Sequence, residues 1–284
     1  MKKRSQISEI WRRLKRNKMA MFGLIILLII VVLAIFAGKI FDYEEVVVKQ
    51  NIAERLDGPS MQHWLGCDEF GRDILARLVY GSRVSLIVGV VSIAMAMGIG
   101  GTIGAVAGYY GGKIDNVIMR IMDVFLAMPS ILLAICIVAA LGTSLLNLIF
   151  AIGVSFIPQF ARVVRAQVLS VKDEEFVEAA RAIGSKDSTI ILREIIPNCM
   201  AQIIVQATLS VASAILSTAG LSFIGLGIAP PAPEWGSMLA GGRIYIRDAV
   251  HLTLFPGLAI VITILALNLL GDGLRDALDP RLKQ

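Results

Sequence analysis

Four residues in one short stretch, His63, Cys67, Asp68 and Asp73, are the set best suited to metal chemistry, because imidazole, thiol and carboxylate together favour a soft or borderline ion. A loop that uses these side chains structurally is the commoner outcome, and no metal site is assigned. The other histidine, His251, has no histidine partner one helical turn away, so the zinc-protease helix motif is absent. Gly98, Gly100, Gly101 and Gly104 form a Gly-rich run, but it lies inside an apolar stretch with no strand before it. No Gly-rich loop ends in Lys-Ser or Lys-Thr, which excludes nucleotide hydrolysis by that route. Cys67, Cys136 and Cys199 are too scattered to form a disulfide framework. The chain is therefore read as non-catalytic and as binding no cofactor of its own.

Polar side chains inside apolar stretches are the next candidates, since they are expensive in lipid and tend to mark paths. Gln202, Gln206, Ser210 and Ser213 share a helical face more polar than packing requires, and Gln159 follows a helix-bending Pro158. These five are the candidate translocation path. Asn147 and Asn268 are read as interhelical glue, and Arg120 and Asp123, at a span end, as snorkelling side chains or a local ion pair. No chain of intramembrane acids is present of the kind a proton-coupled carrier needs.

One long charged interruption, Lys172 to Pro197, separates two nearly uncharged apolar segments. Asp173, Glu174 and Glu175 suit the positive end of a starting helix; Phe176, Val177, Ala180 and Ile183 recur at helical spacing, and Gly184 can stop it. Ser185 is expected to cap a second helix bearing Ile190, Ile191 and Ile195, ended by Pro197. Two amphipathic helices with charged flanks suit a groove on a partner protein. A solvated connecting loop is the commoner fate of such a segment.

The elements that must position these groups are membrane spans. In 284 residues, 56% are hydrophobic and 17% charged, and the mean hydropathy is +0.76, which describes a polytopic membrane protein. Residues 1–18 hold eight Lys or Arg against Glu9, a topology signal beside the first span at 19–38. That span is long enough to cross a bilayer and is read as retained rather than cleaved. Further spans are expected at Val84–Gly108, Ile121–Leu141, Ser144–Ala161, Cys199–Gly227 and Leu252–Gly271. Six spans place both termini on one side, the cytoplasmic one if the basic end is inside. Residues 39–83 then lie outside, with six Lys/Arg against eight Asp/Glu, as do 228–250; residues 162–198 and the tail at 274–284 lie inside. In the outer segment, Ile74, Leu75, Leu78 and Val79 form a membrane-facing stripe with Arg72, Asp73 and Arg77 off it. Ser92, Ala96, Gly100, Gly104 and Gly108 recur every fourth residue, a face for close helix packing, and Ser210, Ser213, Ala214, Ser217 and Gly220 repeat the theme.

Glu178-Ala179-Ala180, three residues, Gly184 and then twelve residues to Pro197 resembles the EAA motif of permease subunits of ABC importers. Glu194 stands where that motif usually has an apolar residue. His63-Trp64-Leu65-Gly66-Cys67-Asp68-Glu69-Phe70-Gly71-Arg72-Asp73 is similar to the HxLGTDxxGRD segment of dipeptide, oligopeptide and nickel importer permeases, with Cys67 in place of Thr. Tyr109-Tyr110-Gly111-Gly112, Leu221 to Gly227 followed by Pro230-Pro231 and Trp235-Gly236, and Gly271 to Asp276 with Asp279-Pro280-Arg281 extend the likeness over nearly the whole chain.

The resemblance implies an all-α membrane protein with the type I ABC importer permease fold: six transmembrane helices, a five-helix core at 84–273 and a cytoplasmic coupling helix-turn-helix at 171–198. It points to the second permease of such a pair, the one with a short amino-terminal region. It implies ATP-driven import of di- or oligopeptides, with a nickel or metal-chelate importer as the alternative; the reading from another class is an autonomous channel or ion-coupled carrier. Glu174, Glu175, Phe176, Glu178, Ala179, Ala180, Gly184 and Pro197 would couple to an ATPase subunit. Asp68, Arg72, Asp73 and Trp235 are candidate contacts to an extracytoplasmic substrate-binding protein. Implied partners are a second homologous permease, that binding protein, two ATP-binding subunits carrying ATP and Mg, and membrane lipid, but no nucleic acid. The expected location is a bacterial or archaeal cytoplasmic membrane.

Overall fold

The structure, a computed structural model, describes residues 6–278. Lys2, Lys3 and Arg4 of the basic cluster and the Asp279-Pro280-Arg281 stretch lie outside the described residues. What is described is helical, with one isolated bridge between Cys67 and Asp73. Among the described residues, five helices are long and apolar enough to cross a membrane, or six if one bent pair is counted as a single span.

A short amphipathic helix, α1 (Gln6–Arg16), tucks Leu14 against Ala20 and Ala277. Asn17 then caps α2 (Lys18–Ile40), its Oδ1 accepting from the Met19 and Ala20 amides at 3.1 Å. Helix α3 (Ile74–Tyr110) begins ten residues before the expected Val84, because Asp73 Oδ1 accepts from the Ala76 amide at 2.8 Å and fixes the start. Its first turns do not present the expected membrane-facing stripe. Ile74 and Val79 are buried inward, and Arg72 and Arg77 are buried with them rather than lying off the packed face.

The expected third span is two helices, α4 (Gly112–Leu126) and α5 (Ser130–Leu141), meeting at 82°. Pro129 explains the break: it has no N–H to donate and disfavours helical backbone at Met128. Helix α6 (Leu145–Val171) starts under a Ser144 cap and continues through Pro158, ten residues past the expected end at Ala161. The extension persists because Val164 and Val168 are wholly buried against neighbouring helices.

The charged interruption forms α7 (Glu175–Ala182), stopped by Gly184 at φ +78°, and then α8 (Asp187–Thr189). The second hairpin helix is not separate from the next span. It winds loosely through Ile190–Ile195 and continues into α9 (Ile196–Phe223) without a break. Wide winding moves the carbonyls away from the Pro197 ring, so this proline sits in the first turn of a continuous helix instead of ending one. Ser185 is not the cap either; Lys186 occupies that position and gives no side-chain hydrogen bond.

Helix α10 (Trp235–Gly242) lies between α9 and α11 (His251–Leu278), which runs seven residues past the expected Gly271. The core forms where α3 lies along α6, with α9 on α3 and α2 on α11. The small-residue face of α3 is what permits this. Ser92, Ala96, Gly100, Gly104 and Gly108 are all buried, and a Cβ on Gly104 would collide with the Ala161 backbone.

Candidate functional site

The hairpin at 175–195 stands on an apolar base and presents an open edge. Val177 and Ala180 on α7, with Ile190 and Ile195 on the next helix, turn inward onto Ala105, Tyr109, Val164 and Val168. This base belongs to the spanning helices. Above it Glu174, Glu175, Phe176, Glu178, Ala179, Gly184 and Pro197 are exposed, while Ala180 is buried and serves packing. Two apolar residues beyond those predicted also protrude: Ile183 is 82% exposed and Leu192 67%. Glu194 is half-buried and its carbonyl accepts from Asn198 Nδ2 at 2.6 Å; despite this departure from the motif, the helix seats through Ile190 and Ile195.

Polar contacts lock the hairpin to α3. Tyr109 donates its hydroxyl to Asp187 Oδ1 at 2.8 Å, and the Arg181 guanidinium lies 5.3 Å from the centre of the same ring. Beside it Arg165 of α6 makes a two-toothed pair with Asp115 of α4, with Nη2 donating to Oδ2 at 2.6 Å. Asp123 pairs with Arg162 at 2.8 Å, not with the neighbouring Arg120. Sequence reasoning missed the Tyr109 and Arg165 contacts. Their signal was polar and charged side chains retained at or near the ends of otherwise apolar helices.

Of the five path candidates, Gln202, Gln206, Ser210 and Ser213 lie on α9 and Gln159 on α6. Gln206 donates to Ser210 at 3.1 Å along α9. Ser210 is buried, Gln202 and Gln206 are half-buried, and Gln159 and Ser213 are exposed.

At the opposite end, the segment between α2 and α3 folds into a compact platform. Asp68 is its hub: Oδ2 accepts from Arg72 Nε at 2.7 Å, and Oδ1 from the Phe70 and Arg72 amides. Arg77 Nε lies 3.3 Å from the same Oδ2, close enough for charge attraction but without hydrogen-bond alignment, while Arg77 Nη1 donates to the Val47 carbonyl at 2.9 Å. Asp68 and Arg72 are each 5% exposed and Trp235 is 3%, its Nε1 donating to the Leu78 carbonyl at 3.0 Å. In this conformation three of the four candidate outer contacts are thus interior braces, and Asp73 is a helix cap. The outward surface belongs to neighbours such as Met61, Trp64 and Phe70.

Glu234, unremarked in the sequence, is almost fully buried. Its Oε1 accepts from the Gly236 amide at 2.9 Å and its Oε2 from the Ser237 amide at 2.9 Å, capping α10. Burial pushes this carboxyl upward despite those donors. The platform also places Glu54 beside His63 and Cys67, with one ligand atom of each within 4.8 Å of the others. Asp73 holds the His63 imidazole above its usual range through a 2.8 Å hydrogen bond. Burial, reinforced by Asp73 and three further carboxylates, pushes the Cys67 thiol up to about 12.

Comparison with known proteins agrees with this architecture. Residues 100–284 match the family described as binding-protein-dependent transport system inner membrane component, and residues 5–59 match the N-terminal TM domain of oligopeptide transport permease C. The dipeptide transport system permease protein DppC of Alkalihalophilus pseudofirmus is 50% identical over 275 residues, covering 97% of this chain and 90% of the relative. The glutathione transport system permease protein GsiD of Escherichia coli is 47% identical over 277 residues, with the same coverage. A chain of the MetNI methionine ABC transporter, solved in inward-facing conformations, superposes with a TM-score of 0.59 at 20% identity, over 72% of this chain and 96% of that one. That likeness shows the fold alone. Helix order and the protruding hairpin thus define a multi-pass permease of the ABC importer type. The chain belongs to the binding-protein-dependent transport system inner membrane component family, in its peptide/nickel group of ABC permeases.

Proposed function

We propose that this chain is a permease subunit of an ATP-driven peptide importer and that it receives the power stroke through the hairpin at 175–195. The observation that carries this reading is the hairpin's construction. Its inner face is continuous with the core of α3, α6 and α9, while Phe176, Ile183 and Leu192 are exposed among the described residues. An apolar edge on a rigid base fits a groove on a partner, and a partner that contacts it differently in two states can bias the spans between two arrangements.

The partners are a second homologous permease, two ATP-binding subunits that supply ATP and Mg, and a substrate-binding protein on the outer face. The chain itself is non-catalytic. The hairpin and both termini are cytoplasmic, a placement supported by the basic cluster before α2. Peptide is favoured as cargo because the DppC and GsiD relatives are named for dipeptide and glutathione transport, which gives the nickel alternative no support.

The test is reconstitution of the complex in vesicles. Substrate-loaded binding protein should stimulate both ATP hydrolysis and peptide uptake. Glu178→Lys, at an exposed hairpin position, and Gly184→Pro, which cannot adopt φ +78°, should abolish uptake while leaving membrane insertion intact. Normal uptake in both variants, or flux through this chain without ATPase subunits, would overturn the reading.

A further inference from the structure

Glu54, His63 and Cys67 come from two turns of the outer platform that the chain pins together. The Cys67 amide donates to the Asp57 carbonyl at 2.9 Å, Leu56 to the Asp68 carbonyl at 3.1 Å, and Ile74 to the Gly66 carbonyl at 3.1 Å. These bonds hold the short turn Ile52–Glu54 against the bend that carries His63 and Cys67. Glu54 Oε2 lies 3.3 Å from His63 Nε2, and one ligand atom from each of Glu54, His63 and Cys67 lies within 4.8 Å of the other two.

We propose that these three side chains form a zinc site, which clips the Ile52–Glu54 turn to the His63–Cys67 bend at the outer end of α3. The orientation of His63 argues for this independently of proximity. Its Nδ1 faces Asp73 Oδ2 at 2.8 Å, and Asp73 is held in turn by its cap bond to Ala76. A neutral imidazole that donates from Nδ1 turns its Nε2 lone pair toward Glu54, the carboxylate–histidine arrangement that orients metal ligands.

Spacing also fits. Ligands at zinc bond lengths sit about 3.3 to 3.8 Å apart around a tetrahedron. The His63–Glu54 separation is already there, and the widest separation needs to close by about 1 Å. A thiolate, an imidazole and a carboxylate select a borderline ion over the hard cations Mg2+ and Ca2+, with water completing the shell. Electrostatics favours a dication here as well. Glu54, Asp57 and Asp73 lie close enough to act on Cys67, a field that opposes a bare thiolate and attracts a cation, whereas the charge of Asp68 is taken up by Arg72 and Arg77.

The experiment measures metal on the purified full-length permease in its complex. After equilibration with micromolar Zn2+ and removal of free ion, elemental analysis should find about one zinc per chain. Substitution with Co2+ should give a thiolate-to-cobalt charge-transfer band. Cys67→Ser, His63→Gln and Glu54→Gln should each remove or sharply weaken retention, and Asp73→Asn should weaken it by about 10- to 100-fold. Should the Cys67 variant fail to assemble, the double variant C136S/C199A, which leaves Cys67 as the chain's remaining cysteine, must keep the cobalt band. No zinc retained by the wild type, no thiolate band, a band lost in C136S/C199A, or retention equal to wild type in the three ligand variants would each overturn the site.

Discussion

The Tyr109 hydroxyl and the Asp187 carboxylate, 78 residues apart in sequence, meet at 2.8 Å, so the C-terminal end of α3 is tied directly to the second arm of the hairpin. Arg181 of the first arm lies over the same ring. One tyrosine therefore joins both arms to the helix that packs on α6 and α9.

Replacing Tyr109 by Phe keeps the ring and its contact with Arg181 but removes the hydrogen bond. A bond to a charged acceptor is worth about 1.5 kcal/mol or somewhat more when partly shielded. Amides of residues 175–195 should exchange with solvent roughly tenfold faster in Tyr109→Phe, and peptide uptake should fall several-fold with complex assembly unchanged. Identical exchange and uptake would show that the contact does not constrain the hairpin.

The α3–α6 seam separates two glycines on one helix. A Cβ on Gly104 meets the Ala161 backbone, whereas one on Gly98 meets nothing within 4 Å. Gly104→Val should destabilise the seam by about 3 kcal/mol and lower the thermal midpoint in detergent. Gly98→Val should leave it nearly unchanged. Equal midpoints would mean that the helices are not in close contact there.

That seam was legible in the sequence because small residues at every fourth position mark one helical face, whatever packs on it. Prolines were not equally legible. Pro129 breaks the expected third span and Pro197 interrupts nothing, although each follows an apolar residue within a helical pattern. The difference lies in tertiary contacts: Ile190 and Ile195 anchor the helix on both sides of the loose winding, and no local signal reports that. The hairpin's first arm and its Gly184 stop were readable from periodicity and the need for positive φ. The buried state of Arg72 and Arg77 was not, because Val47 and Asp68, which receive them, are fixed only by the fold of the platform.

Asp68 compensates two buried guanidiniums at once. Removing one partner of a buried ionic group leaves charge unpaired and costs about 3–5 kcal/mol. Asp68→Ala should therefore reduce the amount of folded permease recovered far more than Asp73→Ala, which loses a helix cap worth about 1 kcal/mol and a bond to His63. Recovery and thermal midpoint measured side by side decide the point, and an equal loss would refute the hub role of Asp68.

Glu234 caps α10 from a buried position and also faces the Ser85 hydroxyl on α3 at 3.4 Å. Glu234→Ala would strand two amide donors and leave a cavity, a loss of about 2 kcal/mol or more. Glu234→Gln keeps one acceptor oxygen and the volume, so it should fall between wild type and Ala in thermal midpoint. A Gln variant as unstable as Ala would mean that the second oxygen carries the cap.

The exposed apolar edge of the hairpin separates docking from folding. Ile183 and Leu192 are 82% and 67% exposed, so neither contributes much to the core of this chain. Ile183→Ser and Leu192→Ser should leave the thermal midpoint of the isolated permease within experimental error. If a groove on an ATPase subunit covers these side chains, each substitution forfeits about 1.5–3 kcal/mol of burial, which is roughly 10- to 100-fold in affinity. Titration of purified permease with its ATPase subunit should show that loss, larger for the double variant. Affinity equal to wild type in the double variant would place the docking surface elsewhere on the hairpin and leave its acidic residues, Glu174, Glu175 and Glu178, to carry the contact.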